Sequence, residues 1–96
     1  MKGKQKRQLR AMANTISKRH LLGKGAPDDA FFDSIDKALE AHELIKIGIL
    51  DNSETTVEEL TEQLEKRLGC EVVQTIGRVL VVYRRSEKNP RIVLED

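Results

Sequence analysis

Two segments with apolar residues at helical spacing flank a segment with isoleucine at every second position, and this order limits the fold more than any other feature. The helical segments are Pro27–Ala41 and Thr56–Leu68. Between them, Leu44–Leu50 has the two-residue period of a strand. Strands that alternate with helices are typical of strand-helix-strand crossovers, so the sequence predicts an α/β fold.

Local signals indicate where several elements begin and end. A capping-box pattern starts the second of these helices at Thr56, and Gly69 is placed to end it. Two β-rich runs follow, 71–75 and 79–84, with Gly77 in the short turn between them. A glycine in such a turn supplies a positive φ, so these runs indicate a β-hairpin.

The remaining segments predict smaller elements. Lys4–Ala13 contains good helix formers and a narrow apolar stripe, so it predicts a short basic helix. Ile16–Leu22 predicts a first strand, which ends at the breakers of Gly23–Pro27, and Arg91–Leu94 is a candidate edge strand. The order α-β-α-β-α-β-β favours a two-layer sandwich with both long helices on one sheet face and the basic helix over part of the other.

Length and composition restrict the class of protein. Ninety-six residues with three aromatic side chains predict one small domain with a thin aliphatic core. No apolar run approaches the roughly 20 residues that span a bilayer, so we expect a soluble, cytoplasmic protein without a membrane partner. The single cysteine, Cys70, excludes an internal disulfide and fits a reducing compartment.

The net charge of +1 conceals a strong asymmetry along the chain. Residues 1–24 hold eight of the 17 basic residues and none of the 16 acidic ones, whereas residues 25–96 carry a net charge of −7. Because charges act within a Debye length of about 8 Å, a basic face attracts a polyanion even when the whole protein is nearly neutral. Nucleic acid is the expected partner, and a solvated basic tail is the alternative.

Residues with catalytic or metal-binding chemistry are sparse. His20 and His42 have no cysteine or carboxylate pair at ligand spacing, so no metal site is expected. Cys70 follows a predicted helix end, a position typical of a buried structural thiol. We therefore expect neither enzymatic activity nor a cofactor.

A glycine-rich loop, Gly23-Lys24-Gly25, joins the first predicted strand to a helix. Such a loop presents backbone N–H groups and one ammonium to a phosphate, and it also fits a simple tight turn. It lacks the full phosphate-loop and dinucleotide-binding patterns, which disfavours nucleotide hydrolysis or dinucleotide binding.

Four strings in this order resemble the YhbY-like proteins, the stand-alone form of the CRM domain. They are KQKRQLRAMA, LLGKGAPDD, ALEAHELIKIGIL and IGRVLVVYRR. The resemblance covers residues 3–86, so we expect a single CRM-like domain over 1–96 with a C-terminal extension at 87–96. It implies a four-stranded mixed sheet like that of the C-terminal domain of translation initiation factor three. It also implies RNA binding and association with the precursor of the large ribosomal subunit, and we expect ribosomal proteins as further partners.

Family members carry a GxxG loop between the first strand and the second helix, and here the four residues are Gly23, Lys24, Gly25 and Ala26. The last glycine is replaced by alanine, with a glycine one position earlier. The residues and the resemblance together place RNA contacts on the basic helix, the loop and the hairpin. The predicted RNA-binding residues are Lys4, Lys6, Arg7, Arg10, Lys18, Arg19, Gly23, Lys24, Gly25, Arg78, Arg84 and Arg85.

We expect these cations to converge on one surface around the glycine loop of a monomer, where they recognise the shape and backbone of structured RNA. Tyr83 fits a core position better than a base-stacking one. A protein-interaction adaptor is the alternative function. Its acidic helix face would bind a basic ribosomal protein or other factor through Asp33, Asp36, Glu40, Glu58, Glu62 and Glu65.

Overall fold

Three helices and four strands form in the order that the sequence predicts. The computed structural model describes all of residues 1–96. Its elements are α1 (Gly3–Ala13), β1 (His20–Leu22), α2 (Asp29–His42), β2 (Leu44–Ile49), α3 (Val57–Leu68), β3 (Glu71–Ile76) and β4 (Val79–Tyr83). None of the three helices combines the length and the hydrophobicity that a membrane span requires.

The four strands form one mixed sheet in the order β1-β2-β4-β3. β1 lies parallel to β2, and β4 pairs antiparallel with both β2 and β3. The β3–β4 hairpin turns at Gly77, whose φ of 58° is the positive value that the sequence predicted. The predicted α/β fold with a four-stranded mixed sheet is therefore confirmed.

Alternate residues of β2 divide the core between the two sheet faces. Ile45, Ile47 and Ile49 pack on the face that α2 and α3 cover, in a cluster of 13 buried residues. Leu44 points to the opposite face, which we call the α1 face, and joins a second cluster of six. The two-residue period of a strand produces this division.

Helix α1 covers part of the α1 face. Its buried residues Leu9 and Ala13 pack in the second cluster, which also contains Val81 and Tyr83. Tyr83 is thus a core residue, 7% exposed, and is not free to stack on a base. The helix contacts β2, β3 and β4. It leaves uncovered the end of the sheet where β2 ends and β4 begins, and Leu21 and Ile76 are exposed there.

The long helices begin and end where local chemistry favours it. Asp28 caps α2 by accepting the Phe31 N–H at 2.8 Å. Thr56 and Glu59 form the predicted capping box of α3, and Gly69 ends that helix at a φ of 63°. These contacts satisfy backbone groups that a helix end leaves without partners.

Two predicted elements differ in the structure. The first strand is only His20–Leu22, because the chain before it departs from β2 and Ile16 packs beside the α1 cluster. Arg91–Leu94 is not an edge strand. Its backbone groups form hydrogen bonds with side chains and not with a neighbouring strand. The Glu43 carboxylate accepts the N–H groups of Arg91 and Ile92, and Gln8 donates to the Val93 carbonyl.

Glu43 anchors the C-terminal segment from within the core. This residue ends α2 with a φ of 65°, is completely buried, and accepts backbone N–H groups from Ser86, Arg91 and Ile92 at 2.7–2.9 Å. Burial of the carboxyl raises its pKa, but these hydrogen bonds outweigh that effect, so the pKa of Glu43 is lowered. The charged form therefore stabilises the folded chain.

Candidate nucleic-acid interface

The cations of the first 24 residues are largely free of ion pairs. Of the eight, only Lys6 contacts a carboxylate, that of Glu71 at 3.7 Å; the other four ion pairs in the structure lie outside this segment. The remaining seven are Lys2, Lys4, Arg7, Arg10, Lys18, Arg19 and Lys24. The positive charge of this segment is thus available to an external anion.

One side of α1 leads from the edge of the sheet to its uncovered end. Lys6, Arg10 and Asn14 are spaced by four residues and so lie on the same side of this helix and its C-terminal cap. At one end Lys6 contacts Glu71 of β3, and at the other Asn14 lines a cavity together with Gln74. Arg10 lies between these two points.

The uncovered end of the α1 face carries a compact group of polar and apolar side chains, which we call the open sheet face. A shallow cavity of about 90 Å³ there is bordered by α1 and lined by no carboxylate. The open sheet face consists of one row across the strands, Leu21, Gly48, Val79 and Ile76, and a second row of Arg19, Lys46 and Gln74.

Lys46 was not among the predicted site residues. It lies on β2 between isoleucines that face the α2 and α3 side, so it points to the α1 face, where it lies near Arg19. The alternation of Ile45, Ile47 and Ile49 in the sequence contained this signal, since the residue between inward-facing positions points the other way.

The glycine loop follows β1 directly, beyond the Leu21 end of the open sheet face. Its Gly25 has a φ of 90°, and the Gly25 carbonyl accepts hydrogen bonds from the hydroxyls of Ser53 and Thr55. A Cβ atom built on Gly23 would meet nothing within 4 Å. The protein thus holds this loop from one side and leaves the backbone at Gly23 accessible, with the Lys24 side chain exposed.

Arg78 lies in the β3–β4 turn, at the same end of the sheet as the glycine loop. Its guanidinium donates to the carbonyls of Ile49 and Leu50, at 3.2 and 2.8 Å, and lies 3.8 Å from the Asp51 carboxylate. These bonds hold the turn against the end of β2. The side chain is still 43% exposed.

Arg84 and Arg85 lie beyond the other end of β4. The five residues of β4 lie between Arg78 and Arg84. The six steps along the chain from Arg78 to Arg84 correspond to about 20 Å at roughly 3.3 Å per residue. Arg84 bonds the Asp36 carboxylate at 2.7 Å and the carbonyls of Asp36 and Leu68. The expected convergence of all the cations on one surface is therefore wrong for this pair, because the strand carries them to the opposite end.

A second cavity, of about 320 Å³, lies between the start of β2 and the chain before β1. Both histidines line it, together with Lys18 and Lys46. Burial is the largest cause that lowers the pKa of His20 below its ordinary value, and the neighbouring Lys18 and His42 lower it further. The neutral form of this imidazole is therefore favoured, and the two lysines place positive charge at the cavity wall.

Other candidate chemical groups have structural partners. Cys70 is buried and lies 3.4 Å from the Leu64 carbonyl, and burial raises the pKa of its thiol to about 11. It is the buried thiol that the sequence predicted. No group of three or more histidine, cysteine, aspartate or glutamate side chains is arranged to hold a metal ion.

Four of the six carboxylates of the proposed acidic face have partners within the protein. Asp33 pairs with Lys37, and Asp36 bonds Arg84. Glu40 accepts hydrogen bonds from residues 86–88, and Glu65 accepts the N–H of Val72. Only Glu58 and Glu62 remain free to contact an external partner, which weakens the adaptor interpretation.

Comparison with known proteins agrees with this architecture. The chain is 41% identical over 92 residues to "Probable RNA-binding protein YqeI" of Bacillus subtilis, covering 96% of both chains. It is 32% identical over 85 residues to "RNA-binding protein" of Haemophilus influenzae, covering 88% of this chain and 86% of the relative. The solution structure of SAV1595 from Staphylococcus aureus superimposes with a TM-score of 0.78 at 40% identity over 99% of each chain.

The resemblance noted in the sequence is confirmed by a domain profile as well. The profile of the CRS1/YhbY (CRM) domain matches residues 1–84, from the start of α1 through the end of β4. This chain therefore belongs to the CRS1/YhbY family of CRM domains.

Proposed function

We propose that this protein binds structured RNA without catalysing a reaction, and that its target is RNA of the assembling large ribosomal subunit in the cytoplasm. The observation that carries the proposal is the set of seven unpaired cations in residues 1–24, within a chain whose remainder is acidic. Relatives named as RNA-binding proteins support RNA as the polyanion.

The proposed interface combines long-range attraction with close backbone contact. The cations of α1 (Lys4, Lys6, Arg7 and Arg10) attract phosphates, while Lys18, Arg19 and Lys24 act nearer the glycine loop. Gly23 and Gly25 let a phosphate approach the backbone, and Arg78 borders the same end of the sheet. Arg84 and Arg85 complete the proposed set only as a second, separate contact point.

Such a domain assists assembly by holding one conformation of the RNA. A small rigid protein that docks on a folding intermediate stabilises that intermediate by a free energy that grows with the logarithm of the protein's concentration relative to its dissociation constant. No bond needs to be broken.

The salt dependence of binding to a ribosomal RNA fragment tests the electrostatic part. If three or more phosphates are contacted, log K plotted against log salt concentration has a slope steeper than about −2. A double variant, Arg7→Gln with Arg10→Gln, is expected to reduce both the affinity and the slope. The matched control, Lys37→Gln with Lys66→Gln, removes the same charge from exposed positions on α2 and α3, outside the interface, and leaves both unchanged. A flat salt dependence contradicts the proposal.

The identity of the RNA requires a separate experiment. The protein is crosslinked to RNA in a cell extract, and the attached RNA is sequenced. Reads concentrated in the large-subunit ribosomal RNA or its precursor support the assembly role. Reads spread over many transcripts contradict that role and leave a general RNA-binding protein.

A further inference from the structure

An apolar row crosses all four strands on the open sheet face. The strand register places Leu21 beside Gly48, Gly48 beside Val79, and Val79 beside Ile76. Leu21 and Ile76, at the two ends, are 58% and 61% exposed. Since neighbouring strands lie about 4.8 Å apart, the row spans about 14 Å. A row of this kind is unusual on a sheet face because large aliphatic side chains are normally covered.

Because Gly48 has no side chain, the row does not project from the sheet at this position. A Cβ atom on this glycine would lie 3.3 Å from Cδ2 of Leu21 and 3.8 Å from Cδ of Arg19. The side chains of Leu21 and Arg19 therefore extend across the sheet above the glycine. The resulting surface is flat and aliphatic, with the Arg19 guanidinium at its edge.

The second row of the open sheet face supplies the charge. Arg19 and Lys46 form no ion pair or hydrogen bond with the protein, and no acidic side chain lines the cavity between them and α1. Gln74 adds a neutral amide on the β3 side. An apolar strip thus lies directly beside two free cations.

We propose that the open sheet face binds unpaired nucleotides of the RNA, with bases on the apolar row and phosphates on Arg19 and Lys46. This inference rests on the proposed function and specifies the form of RNA that this part of the surface takes. A nucleotide combines a flat base that is poorly hydrated on its faces with an anionic phosphate, which matches the two adjacent rows.

Duplex RNA and a second protein copy fit this surface less well. In a duplex the base faces are stacked on one another, so the apolar row would meet only phosphates and hydroxyl groups. A two-fold dimer through the open sheet face would place Arg19 and Lys46 of both copies in one interface that contains no carboxylate, which is unfavourable. The apolar row thus disfavours a duplex and the charge disfavours a second copy, so an unpaired strand fits this surface best.

Two RNAs of equal length distinguish the possibilities: a single-stranded oligonucleotide and a blunt duplex. The variant Leu21→Gln with Ile76→Gln keeps the charge and approximate size of both exposed side chains, so the fold should be retained, which circular dichroism checks. We expect about tenfold weaker binding to the single strand, an unchanged salt slope, and less than a twofold change for the duplex. The matched control, Val93→Gln, changes an exposed apolar residue of the C-terminal segment, away from the open sheet face, and leaves binding to both RNAs unchanged.

The cationic row is tested by a second variant, Arg19→Gln with Lys46→Gln. Loss of two phosphate contacts on a single strand is expected to make the salt slope shallower by about 1.4. The apolar variant should leave this slope unaltered, so the two variants separate base contact from phosphate contact.

Three results would overturn the inference. Equal binding of the single strand by the wild type and the Leu21→Gln, Ile76→Gln variant shows that the row does not contact bases, while RNA binding itself stands. A wild-type dimer in sedimentation that this variant dissociates shows that the row is an interface between copies. Failure of the wild type to bind either RNA at low salt rejects the proposed function together with this inference.

Discussion

The two ends of the sheet differ in how far the protein itself occupies their charged residues. Near the glycine loop, Arg19, Lys24 and Lys46 have no protein partner, and only Arg78 is bonded. At the other end, Arg84 is bonded to Asp36, and Glu43 to three backbone N–H groups, while Arg85 is exposed. This contrast shows that charge in the sequence identifies a binding surface only where the fold leaves that charge without a partner.

The opposite end also determines how the chain terminus is held. Glu40 and Glu43, one helical turn apart on α2, together accept hydrogen bonds from the segment between Ser86 and Ile92. Gln5 and Gln8 of α1 bond the residues that follow. The terminus thus connects α2 to α1 around the edge of the sheet, although its sequence forms no strand.

Among these tests, the replacement of Glu43 is expected to have the largest effect, which is a loss of stability. Glu43→Ala leaves three backbone N–H groups without their acceptor, so we expect a loss of about 3 kcal/mol in the free energy of unfolding. Urea denaturation measures this loss, and Glu87→Ala, an exposed carboxylate nearby, should change the stability by less than about 0.5 kcal/mol. Equal effects of the two substitutions would show that Glu43 does not anchor the terminus.

The neighbouring arginines provide the next sharpest test. Arg84→Gln removes a charged hydrogen bond to Asp36 and two bonds to carbonyls, so it should destabilise the protein by about 2 kcal/mol. Arg85→Gln, at an exposed side chain, should be close to neutral in thermal denaturation. If Arg84→Gln leaves the stability unchanged but weakens RNA binding, the structural role assigned to Arg84 is wrong.

A fall in pH is expected to destabilise the contacts at the end of the sheet that Glu40 holds before it affects the cations near the glycine loop. Hydrogen bonds from the Ser86 hydroxyl and the backbone of Glu87 and Lys88 lower the pKa of Glu40 to about 2, from an ordinary value of 4.5. A lowered folded-state pKa stabilises the protein above pH 4.5, and this contribution is lost as the pH falls from 4.5 towards 2. Urea midpoints measured across this range should decline, and less steeply in Glu40→Gln. An identical decline in that variant would contradict the assignment.

The smallest expected effect concerns the glycine loop. Gly23→Val adds a side chain into open space, so the unfolding temperature should remain nearly unchanged. The same side chain would obstruct a phosphate approaching the backbone, and RNA affinity should fall about threefold to tenfold in a fluorescence titration. If the folded variant binds RNA with unaltered affinity, the loop is a simple tight turn that does not contact phosphate.

Elements defined by residues close together in the chain could be predicted from the sequence. Thr56, Gly69 and Gly77 each act on backbone groups within a few positions, so their patterns gave the capping box, the helix end and the hairpin turn. The failed prediction of a strand at 91–94 has the opposite cause. Its backbone partners are Glu43 and Gln8, which lie 48 to 85 residues away.

The candidate site was predictable only in part for the same reason. The cations of residues 1–24 were evident from composition, and Lys46 could have been found from strand alternation. The separation of Arg78 from Arg84 could also have been found, because the predicted strand at 79–84 lies between them. The bonds of Arg84 to Asp36 and to the Leu68 carbonyl required the tertiary structure. The apolar row required the strand order, because Leu21, Gly48, Val79 and Ile76 are neighbours only after β2 and β4 have paired.

The order of elements, the period of the strands and the basic first quarter follow from local residue patterns, because each depends on residues that are close together along the chain. The folded arrangement was needed to establish which charges are neutralised and which apolar side chains remain uncovered. Those properties arise from contacts between distant segments, and the energy of a charge or an apolar surface depends on what the fold places beside it.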